Sequence, residues 1–219
     1  MTKEDGNNEQ SLDVLAPVLY ANAVDIPDGA TTSNTTAVVL LLGDTRGKVG
    51  FFFVDECAFY QVPTKKKKLA KRGKTPVIKS KGGRKHKSVI GVLSLFAATV
   101  LTMFMERCTG QAFIGFLKAL MGRYKHLQKI YLVIDNAPSH HAKIVHKFLE
   151  LVKYRLEVIF LPPYSPELNP IEKFWKYVRE WVTHDQFHPS FDNLVLHLRG
   201  FLEKQKKPTA EVLSRCCYY

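Results

Sequence analysis

Ile130-Tyr131-Leu132-Val133-Ile134-Asp135-Asn136-Ala137-Pro138-Ser139-His140, followed by Leu161-Pro162-Pro163-Tyr164-Ser165-Pro166-Glu167-Leu168-Asn169-Pro170-Ile171-Glu172-Lys173-Phe174-Trp175, is the stretch that decides the fold. Its first half is an apolar run of strand length stopping at a carboxylate, the pattern of a buried strand. Its second half is a proline-rich turn leading into a helix that carries Ile171, Phe174, Trp175, Val178, Trp181 and Val182 at helical spacing. Both tryptophans read as core. Between the halves, Ile144, Val145, Phe148, Leu149 and Val152 predict a helix, and Leu156 to Leu161 a strand. Strand, helix, strand, helix in that order is the signature of parallel strands covered by helices.

Upstream the period is different. Gly50 to Val54 is a short apolar run ending at Asp55, and Pro76 to Ile78 and Ser88 to Leu95 read as strands flanking the Gly82-Gly83 turn. Thr99 to Met105 extends the sheet, and Phe113, Phe116, Leu117, Leu120 and Met121 mark a helix. Hairpins followed by β-α-β predict an α/β fold with a central mixed sheet flanked by helices. Ser88 to Met105 carries no charge over eighteen residues, long enough to pose a membrane span. Its β-branched residues, with Gly91, Ser94, Thr99 and Thr102, favour two buried strands instead. Residues 1–47 are polar and turn-rich and predict no domain. Met1 to Gln10 lacks the basic and apolar regions of a signal peptide, and Cys57, Cys108, Cys216 and Cys217 lack paired metal or secretory spacing. These features predict a reduced, cytoplasmic protein with no membrane partner.

The charge is concentrated. The chain carries 32 Lys and Arg against 20 Asp and Glu, a net +12. Lys65, Lys66, Lys67, Lys68, Lys71, Arg72, Lys74, Lys79, Lys81, Arg84, Lys85 and Lys87 equal that entire excess, with no acid among them. The rest is neutral. A solvated loop is the ordinary fate of such a run, but its density predicts contact with a nucleic-acid backbone, through phosphates and not bases.

Two strands therefore end in carboxylates, Asp55 and Asp135, at the sheet edge where sites form in α/β proteins. Either one alone reads as a turn starter. Glu172 is a third candidate. Asn169-Pro170-Ile171-Glu172 fits a capping box, yet Glu172 lies about 60° around the helix from Trp175 and can face the sheet edge. Capping and site chemistry are equally good readings. Glu56 alternates to the opposite face from Asp55 and is given no metal. Three converging carboxylates without Cys or His suit Mg2+ or Mn2+, and two such ions support phosphoryl transfer.

The run from Leu132 to His140, the run from Leu161 to Trp175, and Phe53-Val54-Asp55-Glu56 with Ser88 to Ser94 resemble the DDE catalytic domain of mariner-superfamily insertion-sequence transposases. The resemblance covers about Lys48 to Trp181. It implies an RNase H-like fold with a catalytic, metal-holding triad of Asp55, Asp135 and Glu172, the last two separated by 36 residues. It further implies supporting positions at Asn136, His140, Ser165 and Asn169. Departures exist: Leu69 stands where a tryptophan usually precedes Arg72-Gly73-Lys74-Thr75-Pro76, and residues before Lys48 show too little helical periodicity for a helix-turn-helix region.

On this reading residues 48–205 form a catalytic domain with a basic insertion at 63–87, and 206–219 a tail. DNA contacts fall to Lys65, Lys66, Lys67, Lys68, Lys71, Arg72, Lys74, Arg84, Lys85 and Lys87. The implied activity is Mg2+-dependent strand cleavage and strand transfer with two ions. The partners would be transposon-end and target DNA, a separate helix-turn-helix subunit, and a second copy of the chain when assembled on DNA. A different RNase H-like nuclease and a truncated, non-catalytic DNA-binding remnant are the alternatives.

Overall fold

A computed structural model of the chain describes residues 48–217 apart from 66–68, 70, 74–76, 81–83, 96, 164 and 165. Its centre is a mixed five-stranded sheet of β1 (Val49–Tyr60), β2 (His86–Ser94), β3 (Thr99–Met105), β4 (Lys129–Ile134) and β5 (Leu156–Phe160), in the order β3-β2-β1-β4-β5. β1, β2 and β3 form an antiparallel meander, while β4 and β5 run parallel to β1. The uncharged stretch from Ser88 is thus two paired strands, and among the described residues no helix is long and apolar enough to cross a membrane. Val77 and Ile78 do not join the sheet: Val77 is almost fully exposed and unpaired. Two apolar residues have too little surface to hold a strand amid so many cations.

The helices are α1 (Gly110–Arg123), α2 (Lys143–Val152), α3 (Pro170–Val182), α4 (Phe191–Lys204) and α5 (Ala210–Cys217). β1 is buried on both faces, so its side chains feed two cores by strict alternation. Phe51, Phe53, Cys57 and Phe59 point to α3, α4 and α5, meeting Phe174, Trp175, Val178, Leu194, Leu198 and Val212. Phe52 and Val54 point to α1 and the start of α2, meeting Phe113, Phe116, Leu120 and Val145. α4 and α5 were not foreseen. Residues 206–219, read as a tail, carry α5, whose Val212 and Cys216 are buried in the α3-side core.

Trp175 is fully buried, as expected of core. Trp181 is 56% exposed and stacks on Phe201 at 6.5 Å, at the margin of an apolar stripe that itself stays buried through Val182. Gly91 of β2 makes the seat of α3. A Cβ there would stand 2.6 Å from the Trp175 ring, so only hydrogen at this position lets the indole approach the strand so closely.

Candidate active site

The register of β1 and β4 brings the first two carboxylates together. Phe53 pairs with Val133 as the last partners of that ladder, and Asp55 and Asp135 each lie two residues further on. They are therefore level with one another where the two strands part, the crevice at which α/β sheets place their sites. β1 continues beyond with β2 alone, Asp55 pairing with Gly91.

α3 delivers the third carboxylate. Its start is tied to β1 by Asn169, whose buried Nδ2 donates to the Val54 carbonyl at 3.1 Å, next to Asp55. Of the two readings of this helix start, the capping box does not form: Asn169 makes no side-chain cap hydrogen bond, and its Nδ2 donates across the fold to β1. Pro170 at N1 still suits the helix start. Glu172 thus sits in the first turn of α3, beside the end of the β1–β4 ladder.

Burial and neighbouring charge shift all three carboxyls. Burial, then the charge of Glu172 and a smaller effect of Asp135, push the Asp55 carboxyl up to about 8. Glu172 is also raised, chiefly by burial and further by Asp135, against the lowering effect of Arg179. Arg179 lies two turns along the same face of α3 and also reaches the thiol of Cys57. Asp135 behaves oppositely, held below its ordinary value mainly by its hydrogen bond with His140.

His140 is buried, with Nδ1 3.2 Å from Asp135 Oδ1 and Nε2 3.7 Å from Glu56 Oε1. Burial alone would lower this imidazole, but the contacts with Asp135 and Glu56 outweigh it and hold it at about 9. Cys108 donates its thiol hydrogen to Glu56. Asn136 Nδ2 donates to the Leu161 carbonyl at 2.6 Å, joining the ends of β4 and β5. Ser165 lies outside the described residues, as do Lys66, Lys67, Lys68 and Lys74.

Lys65, Lys71, Arg72, Arg84 and Lys85 are exposed, and Lys87 is half-buried in β2. The basic segment is rooted at the far end of β1. Gln61 bonds Lys85 across the hairpin, and Thr64 forms a parallel bridge with His184 just past α3. Tyr60, where β1 ends, is about 16 Å along the strand from Asp55. The described ends of the segment, at Thr64 and Lys85, are therefore rooted at the Tyr60 end of β1 and not beside Asp55.

Among the described residues no group of three or more His, Cys, Asp and Glu side chains forms a ready-made metal cage. The donor chemistry nonetheless fits a hard divalent cation: all three groups offer carboxylate oxygen, and two are raised partly by mutual repulsion that such a cation relieves. Sequence reasoning missed Arg179 and Cys108. The first was signalled by its seven-residue spacing from Glu172, whereas nothing near Cys108 announces its partner on β1.

A central β1 flanked by an antiparallel pair on one side and two parallel strands on the other, with helices on both faces, is the RNase H-like fold. The catalytic domain of the Mos1 mariner transposase shares it, with a TM-score of 0.54 at 14% identity and full coverage of both chains. The Mos1 transposase paired-end complex with left transposon end gives 0.62 at 16% identity, over 99% of this chain and 62% of that one. Residues 50–195 match the family described as DDE superfamily endonuclease, and the chain belongs to that family. It is 24% identical over 184 residues to an insertion element IS630 39 kDa protein of Shigella sonnei, covering 84% of this chain and 53% of that protein. The chain spans about half the length of the curated relatives it matches.

Proposed function

We propose that this chain carries the catalytic domain of a DNA transposase, with Asp55, Asp135 and Glu172 as its metal-holding triad. The observation that carries the reading is the shared register of Asp55 and Asp135 at the split of β1 from β4, with Glu172 brought beside them by the Asn169 tie. Similar mariner Mos1 paired-end complexes with Mg and with Mn support a divalent cation. Bound as two ions, Mg2+ or Mn2+ would activate water or a 3′-hydroxyl and stabilise the leaving oxygen at phosphorus. The three carboxylates would hold them, Asp55 and Asp135 from the strands and Glu172 from α3.

The reaction is hydrolysis of one DNA strand to expose a 3′-hydroxyl, which then attacks a phosphodiester of target DNA. The protein supplies no covalent nucleophile. Arg179 tempers the charge of Glu172, and the burial of Asp55 strengthens the charge interactions it makes. The basic segment would hold duplex phosphates from a root about 16 Å along β1. We further propose that the domain spans residues 48–217, and that a helix-turn-helix subunit and a second copy join it on transposon ends.

The test is nicking and strand transfer on plasmid DNA bearing the element's own ends. Asp55→Asn, Asp135→Asn and Glu172→Gln should each abolish Mg2+-dependent cleavage and leave DNA binding intact. Full cleavage by any one of them removes that residue from the triad. Hydrolysis without strand transfer would favour a nuclease of the same fold.

A further inference from the structure

We propose that His140 is a positioning residue for Asp135, and that Glu56 holds the His140 ring in the orientation that does so. The inference rests on the reading of Asp135 as a metal ligand and adds a support on the opposite face of the sheet. Asp135 is half-exposed at a strand end, where an aspartate in water samples several rotamers. Here one of its oxygens is claimed twice: Ala137 N–H donates to Oδ1 at 3.2 Å, and His140 Nδ1 lies 3.2 Å from the same atom. His140 Nδ1 is also 3.2 Å from the Asp135 carbonyl, so the ring is fixed to both backbone and side chain of one residue. Neither contact uses Oδ2.

The ring itself needs fixing. It is 2% exposed and lies against Phe113 at 4.4 Å, which sets its plane but not which nitrogen faces Asp135. Glu56 supplies that choice. Its Oε1 stands 3.7 Å from Nε2, an ion contact longer than a hydrogen bond, and Nε2 has no hydrogen-bond partner of its own. Cys108, whose Sγ also lies 3.7 Å from Ser139 Oγ, donates to Glu56 and holds that carboxylate in place. A histidine kept for packing alone would leave a buried imidazole nitrogen aimed at a carboxylate without purpose, at a desolvation cost that an apolar ring avoids. Outer residues of this kind orient metal ligands, and their loss typically costs 10–100-fold in metal affinity.

The experiment is titration of Mn2+ into the full chain by calorimetry, with melting curves to show that each variant is folded. His140→Ala should raise the Mn2+ Kd about 10–100-fold and Glu56→Gln about 10-fold. His140→Asn should restore most of the affinity, because its amide nitrogen occupies the place of Nδ1 and still reaches Asp135. A structural role alone would lower Tm in both His140 variants and leave the Kd of the folded protein unchanged, and that result overturns the proposal. Should His140→Ala fail to fold, Glu56→Gln decides alone: a Kd raised about 10-fold in the folded variant supports the proposal, and an unchanged Kd overturns it. Loss of Mn2+ binding in Asp135→Asn with wild-type affinity in Glu56→Gln and His140→Ala would sink the positioning role alone. Unaltered binding in Asp135→Asn would overturn the metal reading, and the positioning role with it.

Discussion

Asp55 and Glu56 are neighbours on β1 with opposite surroundings. Asp55 shares its face with Phe53 and Cys57 under α3, where Glu172 adds a second negative charge and the carboxyl rises to about 8. Glu56 shares its face with Val54 under α1, where a buried imidazole stands between it and Asp135. On one face His140 stands between the two carboxylates; on the other Arg179 lowers Glu172 without overcoming its burial. Added positive charge would therefore be most stabilising on the α3 side of the crevice, between Asp55 and Glu172.

The α3 face can be broken at its seat. Gly91→Ala puts a methyl group 2.6 Å from the Trp175 ring, so α3 must lift and carry Glu172 away from Asp55. About 1–3 kcal/mol of stability should be lost, with a larger drop in cleavage than in DNA binding. Chemical denaturation and nicking on the same samples check this. Equal loss of binding and cleavage would mean that α3 does not position the site.

The contrast also has a pH signature. A carboxyl at about 8 in the folded chain, against an ordinary 3.8, binds its proton more tightly folded than unfolded. Its stabilisation is fully present below pH 3.8 and is lost as pH rises through about 8. Without metal, wild-type Tm should therefore fall across this range more steeply than that of Asp55→Asn. At pH 8.5 the variant should melt several degrees higher, since about 1 kcal/mol shifts the Tm of a domain this size by ~2–4 °C. Mg2+ should raise the wild-type Tm more at pH 8 than at pH 6. Parallel Tm curves for the two proteins would show that Asp55 does not carry the charge strain.

The smallest effect belongs to the basic segment. Replacing Lys65, Lys66, Lys67 and Lys68 with Ala should weaken DNA binding and flatten its salt dependence, the log-log slope falling by about 0.9 for each phosphate no longer neutralised. Metal affinity should not change, because the segment is rooted at Thr64 and Lys85 and not at the crevice. An unchanged slope would make the run a solvated loop.

Much of this was legible because it is periodic. The apolar runs ending at Asp55 and Asp135 and the 3.6-residue stripe through Trp175 place the sheet, the crevice and α3. Contacts between distant residues were not legible. Asn169 has the local chemistry of a helix cap, and its true partner, Val54, lies 115 residues away. Cys108 and Glu56 meet only because β3 leads into α1 on the same face as Glu56. Trp181 sits at the margin of the α3 stripe and not within it, since Val182 beside it is buried, and Leu194, Leu198 and Leu202 of α4 lay beyond the helix taken as the last.

Everything proposed for the crevice requires that Asp55 hold a divalent cation used to cut DNA. Cleavage of transposon-end DNA by Asp55→Cys, with Mg2+ and then with Mn2+, probes that requirement at the ligand itself, because a thiolate binds Mg2+ poorly and accepts the softer Mn2+ better. Silence with Mg2+ and recovery of cleavage with Mn2+ are expected. Wild-type cleavage by Asp55→Cys in Mg2+ would contradict the metal role of Asp55.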